Sequence, residues 1–106
     1  MARAIITVPA SVRRGEIIEI KALVAHDMET GFRRTEQGAL IPRDIITQFV
    51  CTYNGAEVFR AELHPAISAN PYFAFAMRAV ESGAVVCKWT GDNGYSHSES
   101  VAITVA

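Results

Sequence analysis

The amino-acid sequence predicts an all-β domain folded as a two-sheet antiparallel sandwich of about seven strands. Three observations carry this prediction. Short segments alternate apolar and polar residues, turn signals recur between them at regular intervals, and no stretch sustains the 3.6-residue apolar period of a long helix. Because each such strand has one apolar face, two sheets packed face to face bury these faces together. The predicted architecture is immunoglobulin-like.

The first two strands follow from their apolar residues. Ile5, Ile6 and Val8 indicate a strand at the start of the chain. The apolar stretch there is too short for a secretory signal peptide, so taken alone this start predicts a cytoplasmic protein. Residues 16–25 form the second predicted strand, with a two-residue rhythm of apolar positions. These positions are Ile18, Ile20, Ala22 and Val24.

A hairpin is predicted in the middle of the chain. Asn54-Gly55 accepts the positive φ values of a type I′ turn, which closes a tight connection between two antiparallel strands. The predicted strands on either side are residues 45–53 and residues 56–63.

The remaining strands show the same alternation. Residues 72–80 place Phe73, Phe75, Met77 and Ala79 on one face, which we assign to the core. A turn around Gly83 precedes the next strand. That strand carries Val85, Cys87 and Trp89 at alternate positions, residues 91–94 form another turn, and the last strand ends in Val101, Ile103 and Val105.

Two connections are longer than a turn requires. Residues 26–44 form a polar connection of a length that is usually functional or folds into a small hairpin of its own, for which Glu36-Gln37-Gly38 is the candidate tip. Its charges fit either a solvated, self-compensated loop or a mixed-charge docking surface. The charges are those of Asp27, Glu29, Glu36, Arg33, Arg34 and Arg43. Residues 64–71 contain two prolines, which predict a crossover between the sheets with one helical turn.

Length and charge exclude several classes of protein. With 106 residues the chain is one domain, residues 1–106. The 10 Lys and Arg residues and 11 Asp and Glu residues give a formal net charge of −1, which is not the basic character of a nucleic-acid binder. No apolar run approaches the roughly 20 residues of a membrane-spanning helix. The sequence therefore predicts a globular domain that binds neither nucleic acid nor membrane.

The sequence contains no motif for catalysis, metal binding or cofactor binding. His26, His64 and His97 lack the spacing of metal ligands, and three histidines cannot supply the histidine-rich site of the immunoglobulin-like iron proteins. No Gly-x-Ser-x-Gly sequence marks a nucleophilic serine. We therefore predict a protein that is not an enzyme and has no catalytic residues, metal or cofactor.

The two cysteines leave three states open. Cys51 and Cys87 are too far apart in the sequence for a Cys-x-x-Cys motif. Both fall at inward positions of their predicted strands, where a buried thiol has a raised pKa and is inert. Two buried free thiols, a disulfide and a thiol pair with a redox function all remain possible. Trp89 resembles the core tryptophan of antibody domains, but those domains place it between their two cysteines.

Three segments together resemble the SoxZ family, whose members are the smaller subunit of the SoxYZ carrier complex of bacterial sulfur-compound oxidation. They are His-Asp-Met-Glu-Thr-Gly at 26–31, Ile-Pro-Arg-Asp-Ile-Ile at 41–46, and Leu-His-Pro-Ala-Ile-Ser-Ala-Asn-Pro-Tyr at 63–72. The segment 52–59 also matches, so the resemblance extends over nearly the whole chain. The third segment is long and unusual, which makes the resemblance specific.

The resemblance implies a non-catalytic subunit that binds and supports SoxY as a heterodimer during the oxidation of thiosulfate and related sulfur compounds. In the family, SoxY carries the sulfur intermediates on a cysteine of its C-terminal arm, and the pathway enzymes contact the complex transiently. This sequence ends in a predicted strand, so it resembles the non-carrier subunit. The family is periplasmic and is thought to be exported with SoxY, which replaces the cytoplasmic expectation.

The two long connections carry the resembling segments and hold the residues that we predict to bind the partner. These residues are His26, Asp27, Met28, Glu29, Thr30, Gly31, Arg43, His64, Asn70, Pro71 and Tyr72. Asp27 departs from the family, which usually has proline there; aspartate adds a charge and an N–H that proline lacks. Without its partner, the isolated chain is able to self-associate through this surface. Alternative functions are a thiol redox protein using Cys51 and Cys87 or a general immunoglobulin-like adhesion module.

Overall fold

The computed structural model describes residues 4–106, which form eight strands in two packed sheets. Residues 1–3 of the segment weighed as a signal peptide lie outside the described residues. The strands are β1 (Ala4–Thr7), β2 (Ser11–Val12), β3 (Ile17–Val24), β4 (Ile46–Tyr53), β5 (Ala56–Glu62), β6 (Tyr72–Arg78), β7 (Gly83–Gly91) and β8 (Ser96–Val105). The predicted all-β, two-sheet sandwich is confirmed.

The smaller sheet has the strand order β1-β3-β6 and the larger one the order β2-β8-β7-β4-β5. Every pairing within them is antiparallel except that of the two-residue strand β2, which runs parallel to β8. The chain changes sheets between β5 and β6, so the predicted crossover at 64–71 is confirmed. Both strands lie at edges of their sheets, on the same side of the sandwich.

The core lies between the two sheets and follows the predicted alternation. The four inward side chains of β3 are each no more than 4% exposed, whereas their neighbours along the strand are exposed. Trp89 and Phe49 are fully buried at the centre, with ring centroids 5.2 Å apart. Phe49 stacks on Phe73 of the opposite sheet at 4.5 Å, so aromatic packing joins the sheets toward the β5 and β6 side.

The predicted hairpin turn is confirmed in detail. Asn54 and Gly55 have φ values of 49° and 85°, and Tyr53 pairs with Ala56 across them. Two positive φ values are the signature of a type I′ turn, whose twist matches that of the flanking strands.

Short, densely bonded connections make up the end of the sandwich that contains this turn, which we call the turn pole. It comprises residues 13–16, 54–55 and 79–82. The hydroxyl of Tyr53 accepts hydrogen bonds from two backbone N–H groups, those of Val80 and Glu81, and donates one to the Glu81 carbonyl. One side chain therefore satisfies three polar backbone groups of the β6–β7 connection.

One local prediction was wrong. The crossover contains no helical turn; it has a single β-turn in which the Ile67 N–H donates to the His64 carbonyl at 3.0 Å. Asn70 takes a left-handed φ of 54°, and its N–H bonds to the His26 carbonyl. The Asn70 N–H is therefore bonded to His26 and is not available for the local hydrogen bond of a helical turn. In the described part of the chain no helix is long and apolar enough to cross a membrane.

Candidate partner-binding site

The long connections meet at the end of the sandwich opposite the turn pole, which we call the loop pole. It comprises residues 25–45, 63–71 and 92–95. The strand registers bring these segments together; Leu23 near the end of β3, for example, lies opposite Tyr72 at the start of β6. The two connections predicted to bind a partner therefore share one surface.

His26 and Asn70 join the two connections directly. The His26 N–H donates to the Asn70 side-chain oxygen at 2.9 Å, and the Asn70 N–H donates to the His26 carbonyl at 2.7 Å. The Nδ1 atom of His26 accepts the Met28 N–H at 2.9 Å, so in the neutral ring the proton is on Nε2, which lies 4.0 Å from Asp44. The ring packs edge-on against Tyr95 at 4.9 Å. His26 therefore organises the centre of the loop pole.

A shallow depression of about 430 Å³ lies beside His26. Its lining is formed by Ala25, His26, Asp27, Asp44, Asn70 and Tyr95. Asp27 is exposed at its rim. Carboxylates, an amide and an imidazole line the depression, so it offers both hydrogen-bond donors and acceptors to a polar partner group.

Met28 and Pro71 are buried and support this surface from below. Met28 is 4% exposed, has a φ of 54°, and its sulfur accepts the Ile46 N–H at 3.2 Å. Pro71 is buried, and its carbonyl accepts the Val24 N–H. The side chain of Met28 thus anchors the long connection to the start of β4.

A protruding hairpin, which we call the arm, makes up residues 29–44. Bridges between Glu29 and Asp44 and between Arg34 and Leu40 hold its two sides together. At the tip the Gly38 N–H donates to the Thr35 carbonyl, as expected for the predicted turn at 36–38. The predicted small hairpin is confirmed.

The arm exposes apolar side chains without support from the core. Every residue from 32 to 40 is exposed. Phe32 is 79% and Leu40 54% exposed, the former being the most exposed large apolar side chain among residues 4–106. Phe32 and Leu40 lie on the two sides of the same hairpin, so the arm presents apolar groups that another protein can cover.

Ion pairs hold the base of the arm. Arg43 binds both carboxylate oxygens of Asp92, at 2.8 and 2.9 Å, and Asp92 also accepts the Ile45 N–H. Both the Arg43 guanidinium and this backbone bond lower the pKa of Asp92. Arg33 pairs with Glu29 along the arm and lowers its pKa in the same way. Arg33 and Glu29 thus neutralise each other within the charge cluster of residues 26–44, whereas Arg43 pairs with Asp92, which lies outside that connection.

Gly31 permits the close approach of the two sides of the arm. Its φ is 89°, and a Cβ added there would lie 2.9 Å from the Cβ of Arg43. Thr30, next to it, accepts the Phe32 N–H at its hydroxyl oxygen. A side chain at residue 31 would therefore push the two sides of the arm apart and disturb the ion pair between Arg43 and Asp92.

Sequence reasoning missed a row of apolar side chains across the outer face of the smaller sheet. Ile5, Leu23 and Tyr72 are paired in register on β1, β3 and β6, and they are 60%, 39% and 56% exposed. This apolar row borders the loop pole because Tyr72 directly follows the crossover. Its signal in the sequence was apolar residues at outward positions of three strands.

The three histidines lie in different surroundings. His26 is in the loop pole, His64 is exposed at the start of the crossover, and the Nε2 atom of His97 on β8 lies 3.1 Å from Glu99. Nowhere in residues 4–106 do three side chains of the metal-binding types converge.

Comparison with solved structures shows the fold of this chain in other proteins. It is similar to the superoxide reductase (neelaredoxin) from Ignicoccus hospitalis, with a TM-score of 0.77, 16% identity, and coverage of 99% of this chain and 81% of the other. It is also similar to the sulfur carrier protein SoxY from Chlorobium limicola f thiosulfatophilum, with a TM-score of 0.72, 11% identity, and coverage of 100% and 81%. At these identities the likeness concerns the fold alone.

A putative superoxide reductase from Thermotoga maritima is similar as well, with a TM-score of 0.74, 18% identity, and coverage of 97% of this chain and 85% of the other. No protein with a curated description matches the sequence significantly. The model of the family described as "Sulphur oxidation protein SoxZ" matches residues 6–102, which include the loop pole, the arm and the apolar row except Ile5. The chain therefore belongs to the SoxZ family of sulphur oxidation proteins.

Proposed function

We propose that this chain is a non-catalytic subunit that binds and supports a SoxY-type sulfur carrier during the oxidation of thiosulfate and related sulfur compounds. The binding surface consists of the loop pole, the arm and the apolar row. The observation that carries the proposal is the arm of this SoxZ-family chain, which exposes Phe32 and Leu40 on a hairpin without core support.

The stability of the arm on its own bears on its function. A two-stranded hairpin is marginally stable in water, and this one gains its order mainly at its base. Exposed apolar side chains at 79% and 54% add nothing to that stability. They gain free energy only when a partner covers them, and aromatic residues and arginine are enriched at the centres of such interfaces. The arm is therefore suited to insertion against another protein.

The polar groups around the arm supply specificity. Asp27, Asp44 and Arg43 bring both signs of charge to the same end of the domain, and His26 adds a donor at Nε2. Mixed charges of this kind select a complementary surface and disfavour wrong partners. We propose that the predicted binding residues act as this polar part, with Met28 and Pro71 holding it in place.

The proposal assigns no chemistry to the cysteines of this chain. Cys51 and Cys87 are both fully buried, so neither thiol is open to a substrate in the folded protein. The carrier thiol belongs to the partner. We also propose that the chain works in the periplasm as a heterodimer, is exported together with that partner, and meets the enzymes of the pathway only transiently.

The experiment that tests this function measures binding to a SoxY-type partner. The chain is co-expressed with a SoxY-type protein that ends in a Gly-Gly-Cys arm, and gel filtration shows whether the two proteins elute together. Calorimetric titration of the separately purified proteins then gives the Kd. We expect co-elution at micromolar concentration. The double variant Phe32→Ser/Leu40→Ser should raise Kd by about tenfold or more, which corresponds to about 1.4 kcal/mol.

The matched control for this variant lies at the other end of the domain. Ile17→Ser/Val80→Ser removes two apolar side chains of similar exposure, 61% and 45%, far from the loop pole. We expect its Kd to stay within about twofold of the unchanged chain, since remote surface changes have small effects. Separate elution of the two unaltered proteins would refute the proposed function, and equal weakening by both variants would refute the assigned surface.

A further inference from the structure

Cys51 and Cys87 lie directly opposite each other on neighbouring strands. They are register partners on β4 and β7, the two strands between β8 and β5 in the larger sheet. Both side chains point into the core and are fully buried. Thirty-five residues separate them in the sequence, and the register alone brings them together.

The hydrogen-bond pattern shows which kind of pair they form. The Asn54 N–H donates to the Ala84 carbonyl at 3.0 Å, so the pair at 54 and 84 is a hydrogen-bonded one. Hydrogen-bonded and non-hydrogen-bonded pairs alternate along an antiparallel ladder. Three steps along the same uninterrupted register, Cys51 and Cys87 form a non-hydrogen-bonded pair.

Non-hydrogen-bonded pairs have the closest side chains in a sheet. Their Cα atoms are about 4.5 Å apart, within the range of about 4.4–6.8 Å that a disulfide spans. The side chains of Cys51 and Cys87 are also close enough to interact with each other. Through this interaction the Cys51 thiolate accepts a hydrogen bond, which lowers the pKa of Cys51, and the same interaction together with burial raises the pKa of Cys87. The geometry thus meets the requirement for a bond between the two sulfurs.

We propose that Cys51 and Cys87 are a disulfide site, which closes across β4 and β7 when the chain folds in the presence of a low-molecular-weight disulfide. In the first step a cysteine thiolate of the incompletely folded chain attacks oxidised glutathione, its S–S bond breaks, and one glutathione thiolate leaves. In the second step the other cysteine loses its proton to solvent and attacks the mixed disulfide, which releases the second glutathione. The chain loses two thiol protons and two electrons, and glutathione disulfide is reduced to two thiols.

Burial explains why folding is the moment of oxidation. In the folded chain the sulfurs lie in a packed core, which has no room for a bound glutathione. Before the sheets close, both thiols are accessible, and formation of the β4–β7 register brings them into reach. The loop closed by the bond contains β5, the crossover with Asn70, and β6. The bond therefore restricts the unfolded state of the segment that carries the crossover part of the loop pole.

The test is refolding of the full chain in a buffer of oxidised and reduced glutathione. After denaturation and alkylation, we expect an intact mass lower by about 2 Da than that of the dithiol chain, with no alkylated cysteine. Peptide mapping should join the segments of Cys51 and Cys87. The oxidised chain should unfold at a higher denaturant concentration than the reduced chain, and a dithiol reductant should remove the difference.

A matched control moves one thiol along the same face of β7. In Cys87→Ala/Val85→Cys the new thiol is diagonal to Cys51, about 7–8 Å away, so no internal bond should form. The proposal is overturned if the unaltered chain keeps two alkylatable thiols after refolding, or if it forms only disulfides between chains. It does not depend on the binding function, since this experiment contains no partner.

Discussion

The two ends of the sandwich connect its strands in different ways. At the turn pole the connections are short, and Tyr53 and Asn54 satisfy the backbone groups of the neighbouring turn. At the loop pole the connections are long, and the arm extends away from the core with every residue from 32 to 40 exposed. Both ends connect strands of the same two sheets, but only the turn pole connects them with short segments.

The difference separates a region whose side chains stabilise the fold from one whose exposed side chains are free for contact with another protein. A buried hydroxyl such as that of Tyr53 stabilises the fold, because it replaces water at backbone groups that folding covers. Exposed apolar groups such as Phe32 and Leu40 contribute little to the stability of the isolated chain. We therefore expect changes at the turn pole to alter stability without altering partner affinity, and loss of the exposed apolar side chains of the arm to alter affinity without altering stability.

The largest effect on stability is expected from Tyr53→Phe. The ring is kept, but the N–H groups of Val80 and Glu81 lose their acceptor, and together these losses cost about 2–4 kcal/mol in the free energy of unfolding. Urea denaturation measures this loss. Tyr72→Phe is the control, because Tyr72 is 56% exposed and its change should stay within about 0.5 kcal/mol. Equal losses in the two variants would contradict the assigned role of the buried hydroxyl.

Gly31→Ala is expected to come next. Alanine at a φ of 89° is strained by about 1–2 kcal/mol, and its Cβ would also press on Arg43. Gly38→Ala separates the two causes, because Gly38 has a φ of 85° with open space around it. We expect both variants to unfold at lower urea concentration, but only Gly31→Ala to weaken partner binding in calorimetry. An unchanged Kd for Gly31→Ala would show that the base of the arm does not affect binding.

The effect of Asp92→Asn depends on pH. Hydrogen bonds from Arg43 and from the Ile45 N–H lower the pKa of Asp92 below its ordinary value of 3.8. The stabilisation is therefore complete above that pH and is lost as the pH falls through the lower folded-state value. We expect Asp92→Asn to lower Tm at neutral pH and to match the unchanged chain in strong acid.

The measurement is the Tm of thermal unfolding, determined for both proteins from neutral pH down to strong acid. Glu57→Gln is the control, since the Glu57–Arg60 pair is exposed on β5 and such pairs contribute little. A Tm difference for Asp92→Asn that persisted unchanged into strong acid would contradict an origin in the carboxylate charge.

The smallest effect tests whether the apolar row belongs to the binding surface. Ile5→Thr keeps a β-branched side chain on an edge strand, so stability should change by no more than about 0.5 kcal/mol. If the partner covers Ile5, the affinity should still fall by about threefold in calorimetry. Ile17→Thr changes a side chain of equal exposure, 61% against 60%, on the same outer face but at the far end of β3. Equal affinities of the two variants would restrict the surface to the loop pole and arm.

Much of the fold was predictable from the sequence, for local reasons. Alternation along a strand depends only on the pleat, so the inward faces of β3 and β6 could be assigned from their apolar residues. The Asn54-Gly55 turn was predictable because few residues accept two positive φ values in succession. The two prolines correctly excluded a central strand in the crossover, but the helical turn predicted there gave way to the tertiary bond between Asn70 and His26.

The sequence by itself therefore determined seven of the eight strands, all except the two-residue β2, together with the two-sheet sandwich, the two irregular connections and the resemblance to the SoxZ family. Only the tertiary structure decided which residues meet: His26 with Asn70, Arg43 with Asp92, and Cys51 with Cys87. Periodicity reports which face of a strand a residue occupies, but not which strand lies beside it. Neighbours are set by strand order and register, which depend on burying both sheets at once, and no local pattern contains that information.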